Sequence, residues 1–167
     1  MNGKRGKNEG WAGIDASPEI KARLKVFHRY IRKSDLHADG LDKKPHVTLA
    51  YGLSDNITDE KKKQVMDTVK GLKLKIVGMS SFNNKDRTVL KLDIDSDGLR
   101  KAHKYIESNI GIPGKTFKDY KPHMTIAHLK PGADIEQYRP LERLLVGKEF
   151  PVSKVRVRIK ENEIDNT

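Results

Sequence analysis

The sequence predicts an α+β fold of two pseudo-twofold-related β-α-β-α-β lobes, whose antiparallel sheets face each other across a central cleft. Three observations carry this. The segment Lys44-Pro45-His46-Val47-Thr48-Leu49-Ala50-Tyr51 returns as Lys121-Pro122-His123-Met124-Thr125-Ile126-Ala127-His128, identical at five of eight positions and apolar at two more. Each copy occupies the same place in a strand-helix-strand-helix-strand order, and Ile14-Asp15-Ala16-Ser17 and Ile94-Asp95-Ser96-Asp97 stand at corresponding places before the first helix of each half. Within both copies apolar and polar residues alternate as in a strand buried on one face, so each lobe is expected to pack helices on one sheet face and turn the bare face to the cleft.

The elements follow in order. Residues 1–10 are basic and polar, with nothing to bury against the entropy of ordering them, and read as a flexible arm. Trp11 to Ala16 reads as a strand. Ser17-Pro18-Glu19 then supplies an N-cap, a first-turn proline and an acid at the positive end of a helix dipole, ahead of a stripe of Ile20, Leu24, Phe27 and Ile31. A polar loop through Asp35, Asp39 and Gly40 leads to the strand Pro45 to Tyr51. Thr58-Asp59-Glu60 opens a helix carrying Val65, Met66, Val69 and Leu72, and a strand from Leu74 to Phe82 closes the half.

The second half repeats this with a strand Thr88 to Asp95, a helix opened at Ser96 or Asp97 and ended near Gly111, a loop, and the strand Pro122 to Leu129. A helical stretch from Ile135 to Val146 is interrupted by Pro140, and Val152 to Ile159 forms the last strand. The expected organisation is one bilobal domain over 11–160, with lobe-forming repeats of about 11–82 and 88–160, and a tail at 161–167.

A net charge of +11 on 167 residues favours a polyanionic partner, and nucleic acid or a nucleotide fits that sign. The charged share of 34% and mean hydropathy of −0.73 imply a thin core under a large polar surface. Cysteine is absent, which excludes disulfides, thiolate nucleophiles and cysteine-based zinc sites. No apolar run approaches a membrane span, so a soluble, cytoplasmic protein is expected.

Strand alternation puts each histidine and the threonine two residues later on one face, and the apolar faces must meet the helices. His46, Thr48, His123 and Thr125 are therefore directed to the cleft. Two imidazoles on opposite sides of a phosphorus can serve as general base and general acid near neutral pH, while the hydroxyls donate to non-bridging oxygens. No carboxylate-and-histidine cluster has metal-ligand spacing, and neither metal nor cofactor is expected. One His-x-Thr strand would be a weak signal; two in matching Lys-Pro-His-x-Thr-apolar-Ala contexts are a strong one.

On these residues the sequence resembles the two-histidine phosphoesterases, which include LigT-like RNA 2',3'-cyclic phosphodiesterases, 2',5'-phosphodiesterases and phage enzymes that degrade cyclic oligonucleotide signals. The resemblance runs from Trp11 to Lys160. It implies a bilobal α+β fold, catalytic roles for His46, Thr48, His123 and Thr125, and a ribo-oligonucleotide or cyclic oligonucleotide substrate. It also implies no obligate protein partner and, for a phage-encoded member, an anti-defence role in the host cytoplasm. The rival expectation is an RNA- or nucleotide-binding module of the same fold without turnover.

Other residues have two readings each. Trp11 either stacks on a nucleobase, with Gly13 leaving room for the ligand, or anchors the strand edge. Lys91, Arg156 and Arg158, with Lys154, form a basic cleft wall or a charged strand edge. Tyr51 and His128 fall by parity on the face away from the site, and only a bulge would bring them in. His28, His37 and His103 are expected at the surface.

Overall fold

A computed structural model describes residues 8–167. Residues 1–7 of the expected basic arm lie outside the described residues, and the chain is already in a strand by Gly10. Nine strands form one antiparallel sheet: β1 (Gly10–Asp15), β2 (Leu36–Leu41), β3 (His46–Leu53), β4 (Lys73–Asn83), β5 (Thr88–Asp95), β6 (His123–Leu129), β7 (Glu149–Pro151), β8 (Val155–Ile159) and β9 (Asn162–Asp165). Three α-helices, α1 (Pro18–Arg29), α2 (Asp59–Asp67) and α3 (Asp97–Tyr105), pack against it.

Each helix starts where the sequence places its cap. Ser17, Thr58 and Ser96 accept from the backbone N–H groups of Ile20, Lys61 and Leu99. Such caps stabilise a helix by about 0.5–2 kcal/mol each. The helix α2 ends at Asp67, so Val69 and Leu72 reach the core from the turn behind it. α3 runs on into a π-helical turn, Ile106–Ile110, which stops at Gly111 with φ 92°. Pro140, which has no N–H to donate and breaks an α-helix, lies in a 3-10 helix, Ile135–Leu144.

Three expected segments come out differently. The loop through Asp35 and Asp39 contains a strand, β2, which pairs with β6. The last strand, expected from Val152, begins only at Val155 as β8; a separate strand, β7, precedes it and pairs with β4, and the expected tail contains β9, which forms a hairpin with β8. These are short or edge strands, where alternation is too brief to register.

The strand order is β7-β4-β5-β6-β3-β1-β8-β9, with β2 on β6. The lobes are therefore not the contiguous segments 11–82 and 88–160. β4, from the first half, lies beside β5 and β6, while β8, from the second, lies beside β1 and β3. The helices exchange too: His28 of α1 bonds the Ile126 carbonyl on β6 at 3.0 Å, and His103 of α3 bonds the Leu49 carbonyl on β3 at 2.8 Å. Each lobe is thus built by both halves, so neither repeat closes a core alone. Between the lobes β3 and β6 pair only at Val47 and Met124, which makes this seam the floor of the cleft.

Candidate active site

Both motif strands begin on their histidine, directly after Pro45 or Pro122. The proline carbonyls accept from Ala16 N and Ile94 N at 3.0 and 3.1 Å. Ala16 therefore corresponds to Ile94, two residues off the pairing of Ile14 with Ile94 suggested by sequence. In this frame Asp15 faces His46 across the strands and Asp93 faces His123.

The antiparallel register at Val47 and Met124 sets His46 opposite Thr125 and Thr48 opposite His123, so the four motif residues converge on the seam. His46 Nδ1 lies 2.9 Å from the Lys44 carbonyl, and His123 Nδ1 lies 3.0 Å from the Lys121 carbonyl. A carbonyl only accepts, so Nδ1 donates in both rings and Nε2 is left to exchange a proton with a ligand.

Around His46 the wall is made by β1 and β8. Trp11 Nε1 donates to Thr48 Oγ1 at 3.1 Å, and the indole meets the His46 ring edge-on with centroids 5.2 Å apart. The Arg156 and Arg158 guanidinium carbons lie 5.0 and 4.9 Å from the indole centre. With 9% of its surface exposed, Trp11 offers no platform for a base, so the stacking reading gives way to an internal role. Gly13 likewise makes room for the indole and not for a ligand: a Cβ there would stand 2.1 Å from a Trp11 ring atom. Arg156 bonds Asp15 at 2.7 Å and Glu163 at 2.9 Å, so part of the expected basic wall is compensated.

Around His123 the wall is made by β5 and β4. Lys91 Nζ donates to Asp93 Oδ1 at 2.6 Å and to Ser80 Oγ at 2.8 Å, and Ser80 in turn donates to Asp93. Phe82 is 44% exposed and meets His123 edge-on at 6.1 Å. Burial pushes the His123 imidazole below its ordinary value, with Lys91 and His46 adding to the effect and the Lys121 carbonyl and Asp93 opposing it.

A cavity of about 540 Å³ opens beside His123 and Thr48, and Tyr51, Phe82, Lys91, Phe117, Asp119 and Tyr120 line it. Tyr51 enters through a bulge. In β3, Ala12 pairs with Ala50 but Gly13 pairs with Thr48, leaving Leu49 unopposed; in β6, Leu90 pairs with Ala127 but Lys91 with Thr125, leaving Ile126 unopposed. Each bulge reverses the parity of the strand beyond it, and Tyr51 and His128 turn from the helix face to the cleft face. His128 Nδ1 there lies 3.2 Å from the Arg87 guanidinium, which also binds Asp39 at 2.5 Å.

Phe117 and Tyr120 come from the loop between α3 and β6. Gly114 N bonds the Gly52 carbonyl at 2.9 Å, and a Cβ at Gly52, whose φ is +103°, would stand 2.4 Å from the Gly114 carbonyl carbon. Tyr120 donates to the Thr48 carbonyl at 2.8 Å and stacks on His103 with ring centres 4.0 Å apart. His103 is 4% exposed, so the expectation of a surface residue fails. It fixes both the motif strand and the aromatic floor of the cavity. Among the described residues no group of three or more His, Cys, Asp or Glu side chains is placed to hold a metal ion, and no helix is long and apolar enough to cross a membrane.

Two half-sites on facing antiparallel strands, each offering an imidazole and a hydroxyl, define the two-histidine phosphoesterase class. The chain belongs to the 2'-5' RNA ligase superfamily, whose model matches residues 17–163. Escherichia coli LigT, solved with 3'-AMP, is similar at a TM-score of 0.63 and 14% identity, covering 96% of this chain and 95% of LigT. Kluyveromyces marxianus Usb1 is similar at 0.62 and 12% identity, covering 95% and 97%. A Thermus thermophilus protein is similar at 0.60 and 18% identity, covering 95% and 93%. At these identities the likeness is one of fold. Among curated proteins none matches the chain.

Proposed function

We propose that the protein is a metal-independent phosphodiesterase that hydrolyses a ribonucleotide phosphodiester by general acid-base catalysis between His46 and His123. The observation that supports this is the matched pair of Nδ1-to-carbonyl bonds, which leaves Nε2 as the nitrogen of each ring that exchanges a proton. His123, held neutral by burial, accepts the proton of the attacking water or ribose hydroxyl. His46 gives a proton from Nε2 to the leaving oxygen. Thr48 Oγ1 accepts from Trp11. That bond orients its own hydroxyl proton towards a non-bridging phosphate oxygen, and Thr125 serves the other oxygen.

The substrate reading is RNA ending in a 2',3'-cyclic phosphate, a 2',5'-linked oligonucleotide or a cyclic oligonucleotide messenger. It is supported by the net positive charge and by the aromatic cavity beside His123, where a base can lie against Phe82. LigT with 3'-AMP and Usb1 with uridine monophosphate hold nucleotides in the same fold.

Hydrolysis of that panel in saturating EDTA tests the reading, with turnover expected on at least one ribonucleotide and none on the all-deoxy compound if ribose is the nucleophile. Loss of activity on chelation with rescue by a divalent ion would overturn metal independence. No turnover on any member would leave a binding module of the same fold.

A further inference from the structure

The aromatic cavity contains a group that a phosphate site does not need. Asp119 lines it alongside His123, Phe82 and Phe117, and among the described residues its carboxylate forms no ion pair or hydrogen bond. The nearby Lys91 ammonium is engaged by Asp93 and Ser80. Asp119 is exposed, and a carboxylate beside the phosphodiester site of a protein with a net charge of +11 repels the phosphates that the rest of the surface attracts. In that lining it can attract a ligand group that donates hydrogen bonds.

Resting on the phosphodiesterase reading, we propose that this cavity is a guanine subsite and that Asp119 reads the base. An ionised carboxylate is acceptor-only and can accept two parallel N–H bonds at once. Guanine is the nucleobase that presents two such donors side by side, N1–H and the N2 amino group. Adenine and cytosine present an amino group next to a ring nitrogen whose lone pair repels the carboxylate. Uracil presents one N–H between two carbonyls, which repel it likewise. Next to guanine N1 lies O6, an acceptor, and Lys121 in the same lining carries an ammonium, a donor of the kind it needs. Phe82, exposed at 44%, and Phe117 supply ring surfaces for the purine.

The subsite is tested without turnover by calorimetric titration of the wild-type protein and Asp119→Asn with the four ribonucleoside 3'-monophosphates. Guanosine 3'-monophosphate is expected to bind wild type about tenfold or more tighter than the other three, the discrimination a bidentate base contact supplies. In Asp119→Asn, where an amide N–H2 opposes the guanine donors, that preference should disappear while the other three bind at least as well. Equal binding of all four by wild type, or a guanosine preference that persists in Asp119→Asn, overturns the subsite. Because binding is read, a guanosine preference in a protein that cleaves nothing would uphold the subsite and reject the enzymatic reading.

Discussion

The surroundings of His46 and of His123 share a skeleton and differ in nearly every side chain that touches it. Both strands start after a proline, both bulge three residues past the histidine, and both set an aspartate across from it. By the same register Gly13 corresponds to Lys91, Trp11 to Val89, Arg156 to Ser80 and Arg158 to Phe82. The His46 side thus carries guanidinium groups packed on a buried indole, and the His123 side an aromatic cavity with one exposed ring. The repeat supplies the imidazole and hydroxyl that both half-sites share; the other side chains make the two sides of the cleft unlike, with guanidinium groups on one and an aromatic cavity on the other.

Removing what the half-sites share should have the largest effect. His46→Ala and His123→Ala are each expected to lower turnover by about a hundredfold or more with the fold intact, the usual contribution of a general acid or base. Circular dichroism alongside the rate measurement checks this, and a folded variant at near-normal rate would remove that histidine from the mechanism.

The next comparison lies under the motif strands. His103 and His28 make equivalent bonds to Leu49 and Ile126, but His103 is buried and stacked on Tyr120 while His28 is half-exposed. His103→Ala should destabilise by about 2–4 kcal/mol, through a cavity and an orphaned carbonyl, and His28→Ala by about 1 kcal/mol. Burial holds both imidazoles below the ordinary 6.5. Their contribution is therefore present above that pH and lost as pH falls towards the lowered folded values, because the unfolded chain takes up the protons first. Urea unfolding at a series of pH values reads both effects, and a stability that rises on acidification below 6.5 would contradict the burial argument.

Much of this was legible in the chain and some was not. The motif pair, the three caps and the turn at Gly111 are local patterns, and they appear where the residues predict. The bulges are not local: nothing in Leu49-Ala50 or Ile126-Ala127 departs from an apolar strand, so parity sent Tyr51 and His128 to the wrong face. The exchange of β4 and β8 depends on pairing between distant segments, which alternation within a strand cannot report. Phe117, Asp119 and Tyr120 sat in a stretch read only as a loop. Its two aromatic residues were the available signal, since an aromatic in a polar loop needs something to pack on.

Smaller effects belong to the groups that differ. Trp11→Phe keeps the ring but withdraws the donor from Thr48, and should lower turnover by roughly threefold to tenfold, the range of one neutral hydrogen bond. An unchanged rate would mean that Thr48 needs no orientation. Arg158→Ala should weaken substrate binding by a modest factor, more at low salt than at high salt, and more than Arg156→Ala does, because Asp15 and Glu163 already engage Arg156. Equal losses at every ionic strength would assign both arginines to packing on Trp11.

The pH dependence of kcat/KM tests the paired-histidine account most directly. Wild type should lose activity on an acidic limb that lies below 6.5, since burial lowers His123, the proton acceptor. His123→Ala should abolish that limb. An acidic limb that persists in His123→Ala, or a wild-type rate that does not vary across this range, would contradict it.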